Sequence, residues 1–123
     1  MATIRWCRLL LVLGLAVPVQ AGDLPPVKLG LVIPMAGEAG RVGQSMRRAA
    51  DLAIGDWAEA LGRKVELVVG DDQFDPRQAV TVAEKLVKDG VWGVVGHFYS
   101  SSSIPASAVY YQAGIPQVTP TST

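Results

Sequence analysis

Four short apolar runs, at residues 27–33 (VKLGLVI), 64–69 (KVELVV), 91–95 (VWGVV) and 116–119 (PQVT), are separated by three stretches of helical periodicity. This order of strand, helix, strand, helix, strand, helix, strand restricts the chain to an α/β fold: a three-layer parallel sheet with helices on both faces. The first run is almost continuously apolar and bounded by Pro34, as expected for a strand buried on both sides. Ligands of such sheets lie beyond the carboxyl ends of the strands. The glycine, serine and threonine loops at residues 37–43, 96–103 and 119–123 all fall at that edge.

Each helix has its own signal. Met46, Ala49, Ala50, Ala53, Trp57 and Leu61 recur at spacings of three and four, which predicts a helix over residues 44–61 with these side chains on one face, stopped by Gly62. The second helix has Asp75 to cap it, Pro76 at the first helical position and Gln78 at capping-box spacing. Ala79, Val82, Ala83, Leu86 and Val87 form its buried stripe, and Gly90 ends it after Lys85 and Lys88, whose charges suit the carboxyl end of the helix dipole. The third helix is expected over residues 102–113, closed by Gly114.

Residues 1–21 read as a cleavable export signal. Arg5 and Arg8 precede an apolar stretch at residues 9–19 that is too short to span a bilayer, and Val19-Gln20-Ala21 supplies the small-residue cleavage site. The remaining residues, 22–123, have room for one domain at most. Cys7 leaves with the signal, so neither a disulfide nor a thiolate metal site is available to the exported chain. The whole sequence carries 11 basic and 11 acidic side chains, with no basic excess to suggest nucleic acid. No metal site or other cofactor is expected.

Several local patterns invite chemistry. Gly37, Gly40 and Gly43 follow the first strand, but their GxxGxxG spacing is neither the dinucleotide fingerprint nor a phosphate loop, and they read as a turn-forming rim. Asp71, Asp72 and Asp75 could gather a metal or a phosphoryl group. A cap at Asp75, with the other two solvating a strand end, explains the same residues. His97, the single histidine, has Ser100 three residues on, yet no GxSxG elbow is present and no acidic partner is placed to orient the ring, so it reads as structural or as part of the rim. Ser100 to Ser103 are four consecutive serines at the start of a helix, where unpaired backbone N–H groups and hydroxyls can hold a small anion. A merely polar loop is the other reading of the run.

VKLGLVIPMAG, VVGDDQFDPRQAVTVAEKLV, GHFYSSSSIPAS and GIPQVTPTST together resemble the branched-chain amino acid (leucine, isoleucine, valine) binding proteins of bacterial ABC importers, across residues 27–123. The resemblance implies a type I periplasmic binding fold, in which two α/β lobes close on a ligand about a hinge. Residues 22–123 are then an incomplete first lobe, an N-terminal fragment without the second.

Carried over by position, Ser100 is implied to bind the ligand carboxylate through its hydroxyl and backbone N–H. Thr121 is implied to accept from the ligand ammonium through its backbone carbonyl, and Thr123 to contact the ligand through hydroxyl and backbone. Val42 and Phe98 fall near positions lining the side-chain pocket. Leucine-type members carry a disulfide at the positions of Phe74 and Tyr99, where an aromatic contact is expected to replace the staple. The implied protein is a periplasmic monomer, not an enzyme, that takes a small-molecule amino acid ligand and delivers it to a membrane permease. Other members of the fold bind amides, urea or aromatic acids, and a receptor's sensory domain is the competing class.

Overall fold

The computed structural model describes residues 24–122; the expected export signal at residues 1–21 and Thr123 lie outside the described residues. Strand β1 (Val27–Val32) is central. It pairs in parallel with β2 (Val65–Gly70) on one side, Val27 opposite Val65, and with β3 (Gly93–Val95) on the other, Leu29 opposite Gly93. β4 (Gln117–Val118) adds beyond β3, giving a four-stranded parallel sheet of order β2-β1-β3-β4. Helices α1 (Gly40–Leu61), α2 (Pro76–Lys88) and α3 (Ser100–Gln112) make the crossovers.

Alternation along the strands divides the apolar side chains between two faces. Val32 and Val94 meet Ala79, Ala83 and Leu86 of α2 and Ala106 and Tyr110 of α3 in one buried core. α2 is set there by its amino end: the Asp75 carboxylate accepts from the N–H of Arg77 at 2.7 Å and of Gln78 at 3.3 Å, which replaces two backbone bonds that a helix start lacks. Leu29, Leu31, Leu67 and Val95 line the opposite face, beneath α1.

Helix α1 departs from its expected limits at both ends. It begins at Gly40 and not at Gln44, so the second half of the glycine loop is its first turn. Gly43 lies so close to β1 that a Cβ there would sit 1.7 Å from the Pro34 carbonyl oxygen; the glycine serves close packing of helix on strand end more than turning. At the other end Trp57 and Leu61 are 64% and 56% exposed, although they continue the apolar stripe. A helix of 22 residues is about 33 Å long, whereas a six-residue strand reaches about 20 Å, so the last turns overhang the sheet.

Beneath α1 the small side chains Ala49, Ala50 and Ala53 leave an open apolar groove of about 340 Å³ against Leu31 and Leu67. Missing contacts of this kind forfeit dispersion energy and leave apolar surface in water. We therefore expect marginal stability, seen in calorimetry as a broad, weakly cooperative thermal transition. A sharp transition of the monomer would show that the groove costs less than its size implies.

Candidate functional site

Three connections meet at the carboxyl edge of the sheet. After β2, the chain turns through Asp71 to Phe74, where Asp71 Oδ1 accepts from the Gln73 N–H and Asp72 Oδ1 from the Phe74 N–H, each at 3.0 Å. These two local bonds hold Gln73 and Phe74 at positive φ, 51° and 61°, a conformation that side chains other than glycine adopt at a cost. The turn carries the Phe74 ring onto Tyr99, with centroids 4.8 Å apart and planes at 78°; Phe98 meets Tyr99 in the same edge-to-face manner at 4.9 Å. The aromatic contact expected in place of a disulfide is present, and each such pair contributes about 0.5–1.5 kcal/mol beyond its buried area.

After β3 the chain passes through Gly96 and His97, and His97 is wholly buried. Its Nδ1 lies 2.7 Å from Asp72 Oδ2 and its Nε2 3.2 Å from the Tyr110 hydroxyl. Two expectations are corrected here. Asp72 does not solvate a strand end, being 4% exposed, and His97 does have an acidic partner. The two are 25 residues apart and meet because β2 and β3 flank the same strand, a relation that local spacing does not carry.

Burial pushes the Asp72 carboxyl up, but the hydrogen bonds from His97 Nδ1 and the Phe74 N–H outweigh it, so Asp72 is held below the usual carboxylate range. Burial, with the nearby Asp72 charge, pushes the Tyr110 phenol well above its ordinary value.

The serine run is also redrawn. α3 starts at Ser100, two residues earlier than expected, with Tyr99 as its cap residue and no side-chain capping bond, so the four serines are the first helical turn and not a loop before it. Ser102 and Ser103 are buried and give their N–H groups to the Tyr99 carbonyl at 3.1 and 2.8 Å. Ser103 Oγ donates to the His97 carbonyl at 3.0 Å and lies 2.5 Å from Ser122 Oγ. Half of the run therefore belongs to the interior. Ser100, half-buried, and Ser101, exposed, are the two at the edge itself.

After β4, the Thr121 hydroxyl donates to the Phe98 carbonyl, and Ser122 Oγ reaches the His97 carbonyl at 3.4 Å. The structure thus brings Thr121 against Phe98, two residues before Ser100. Val42 sits exposed on the first turn of α1, beyond the end of β1, and Thr123 lies outside the described residues. Beside this edge, Ala36, Gly37, Asp71, Gln73 and Phe74 line an open depression of about 470 Å³ between the ends of β1 and β2. Among the described residues, no group of three or more His, Cys, Asp or Glu side chains is placed to hold a metal ion.

Residue-by-residue reading missed Asp72, Tyr110, Ser103 and Ser122 as members of one network. A partial signal existed: Ser103, Ala106 and Tyr110 recur at three and four, which puts two polar groups on the inner face of α3.

Comparison with known proteins agrees with this fold. The periplasmic binding protein family matches residues 26–123. The amino acid binding protein of Pseudomonas aeruginosa is 45% identical over 104 residues, and Leu/Ile/Val-binding protein homolog 1 of Brucella abortus is 39% identical over 100 residues. Among solved structures, the branched-chain amino acid transporter substrate binding protein LivJ of Streptococcus pneumoniae, in complex with isoleucine, superposes with a TM-score of 0.73 at 27% identity. These matches cover 81%, 79% and 80% of the chain, but only 28%, 27% and 30% of the respective relatives. The chain spans less than a third of the length of the proteins it matches.

Proposed function

We propose, from the fact that this chain belongs to the periplasmic binding protein family, that it forms one wall of the ligand cleft of a solute-binding component of an ABC importer. The ligand is an amino acid of branched-chain or related type. The observation that carries the reading is Ser100 at the first residue of α3, on the carboxyl edge of the sheet, flanked by the Phe98 and Tyr99 rings and by the Thr121 loop. The amino end of a 13-residue helix presents partial positive charge and N–H donors, which suits a carboxylate. The adjoining rings suit an apolar side chain.

In this reading Ser100 takes the carboxylate, the Thr121 carbonyl and Thr123 meet the polar groups around the α-carbon, and Val42 and Phe98 border the side chain. The opposing wall and the partner of the ammonium belong to a second lobe. Closure of two lobes removes water and strengthens each hydrogen bond. No chemical step is part of the scheme: both ring nitrogens of His97 are engaged inside the protein, so this histidine does not serve Ser100 as a base. Export by cleavage after Ala21, a periplasmic location, a monomeric state and a membrane permease as partner complete the proposal.

One wall makes half the contacts and excludes little water, so calorimetric titration of this chain with leucine is expected to show no micromolar binding. At millimolar leucine, isoleucine or valine, amide resonances of Ser100, Ser101 and Thr121 are expected to shift, and Ser100→Ala to abolish the response. Micromolar binding would contradict the one-wall reading; shifts confined to other parts of the chain would contradict the site.

A further inference from the structure

The buried polar chain behind Ser100 is not used by the binding scheme, yet it touches the turn after β2, the start of α3 and the loop after β4. We propose that Asp72, His97 and Tyr110 are positioning residues, which lock the His97 ring as the Nδ1–H tautomer and through it set the serine edge of the site. The inference rests on the reading of that edge as the ligand wall.

Asp72 has both carboxylate oxygens engaged, Oδ1 by the Phe74 N–H at 3.0 Å and Oδ2 by His97 Nδ1 at 2.7 Å. An ionised carboxylate only accepts, so Nδ1 must carry a proton. With that proton in place, Nε2 of the neutral ring is an acceptor and takes the Tyr110 hydroxyl at 3.2 Å. Tyr110 is 1% exposed and its phenol stays protonated, so it remains a donor. The ring is held at both ends and cannot rotate without leaving a buried polar atom unpaired.

The backbone of the same residue is the second half of the device. The His97 carbonyl accepts from Ser103 Oγ at 3.0 Å, and Ser103 Oγ is in turn 2.5 Å from Ser122 Oγ, so the carbonyl is tied to the first turn of α3 and through it to the loop after β4. Next to it, the Gly96 carbonyl accepts from Gln117 Nε2 at 2.8 Å. Fixing the residue 97 backbone therefore fixes three connections relative to one another: the Asp71–Phe74 turn, the α3 start that bears Ser100, and the loop that bears Thr121. Buried polar groups that hold one another from several elements favour a single arrangement, which a site built on loops requires.

Asparagine at position 72 separates positioning from simple packing. It keeps the shape but has one oxygen for two donors. If that oxygen retains the Phe74 N–H, its amide NH₂ faces Nδ1, which must then accept, and the ring switches to Nε2–H with Tyr110 as acceptor.

The test is nitrogen NMR of the ring together with the amide map of the full chain, without ligand. The native protein is expected to show Nδ1–H, Asp72→Asn to show Nε2–H, and the amides of Ser100, Ser101, Ser103 and Ser122 to move while those of Gln44 to Asp56 stay. Tyr110→Phe, which keeps the ring volume, covers the case in which the asparagine variant does not fold: it is expected to retain Nδ1–H and to move the same amides. An Nε2–H ring in the native chain, or a Tyr110→Phe variant with Ser100 to Ser103 unmoved, overturns the proposal. Because no ligand is present, failure of the leucine titration leaves this result standing, and failure here leaves that titration to be judged on its own.

Discussion

Gly96→Ala is expected to lower stability by about 3–5 kcal/mol, the sum of two separate penalties. Gly96 has φ +127°, outside the regions open to residues with a Cβ, and an added Cβ would lie 2.3 Å from the Val32 carbonyl oxygen and 3.1 Å from the Val32 Cβ. Relief would require β1 and β3 to part at the point where Leu31 pairs with Val95. Gly55→Ala is the counterpart: Gly55 is exposed within α1 with nothing within 4 Å of the new atom, so alanine there should add about 0.5–1 kcal/mol through helix propensity alone. Denaturant midpoints measure both. Equal midpoints for Gly96→Ala and the native chain would mean that neither the φ value nor the contact with Val32 constrains the fold.

That glycine marks the line between what the sequence shows and what it does not. The strands and α2 were legible because their signals are local: apolar runs, Asp75-Pro76 at a helix start, Lys85 and Lys88 at its end. α1 was placed on the right face, since Met46, Ala49, Ala50 and Ala53 do turn to the sheet. Its overhang was not legible, because periodicity says which side of a helix is apolar and nothing about how far the partner sheet extends.

The serine run misled in a different way. Serines suit the position before a helix, but here Tyr99 occupies it in extended conformation, and the serines behind it are drawn inward by partners on other elements. Ser102, Ser103 and Asp72 could be recognised as interior only once β2, β3 and α3 had been brought together. The candidate ligand contacts Ser100 and Thr121 were named through family resemblance, and the structure adds the hydrogen bond from the Thr121 hydroxyl to the Phe98 carbonyl, two residues before Ser100.

Asp72→Ala is expected to cost about 2–6 kcal/mol, about 1–3 kcal/mol for each donor that it leaves with no acceptor, the buried His97 Nδ1–H and the part-buried Phe74 N–H. Its pH dependence separates this cause from lost packing. The folded-state carboxyl titrates below its ordinary value of 3.8, so between the two values the unfolded chain binds more protons than the folded one. The Asp72 contribution is therefore complete above pH 3.8 and is lost as pH falls through the folded-state value. Tyr110 acts at the opposite limb. Its phenol is raised above an ordinary value of 10.0, so its contribution is complete below pH 10.0 and declines above it, as the unfolded chain ionises and the folded one does not. Stability measured across pH should show an acid limb that is shallower in Asp72→Asn than in the native chain, and an alkaline limb that is shallower in Tyr110→Phe. Other carboxylates share the acid limb, so the difference between variant and native chain carries the information. Parallel acid limbs would mean that the folded chain holds the Asp72 carboxyl no more firmly ionised than the unfolded chain does, and the cost of Asp72→Ala would then have to come from lost packing alone.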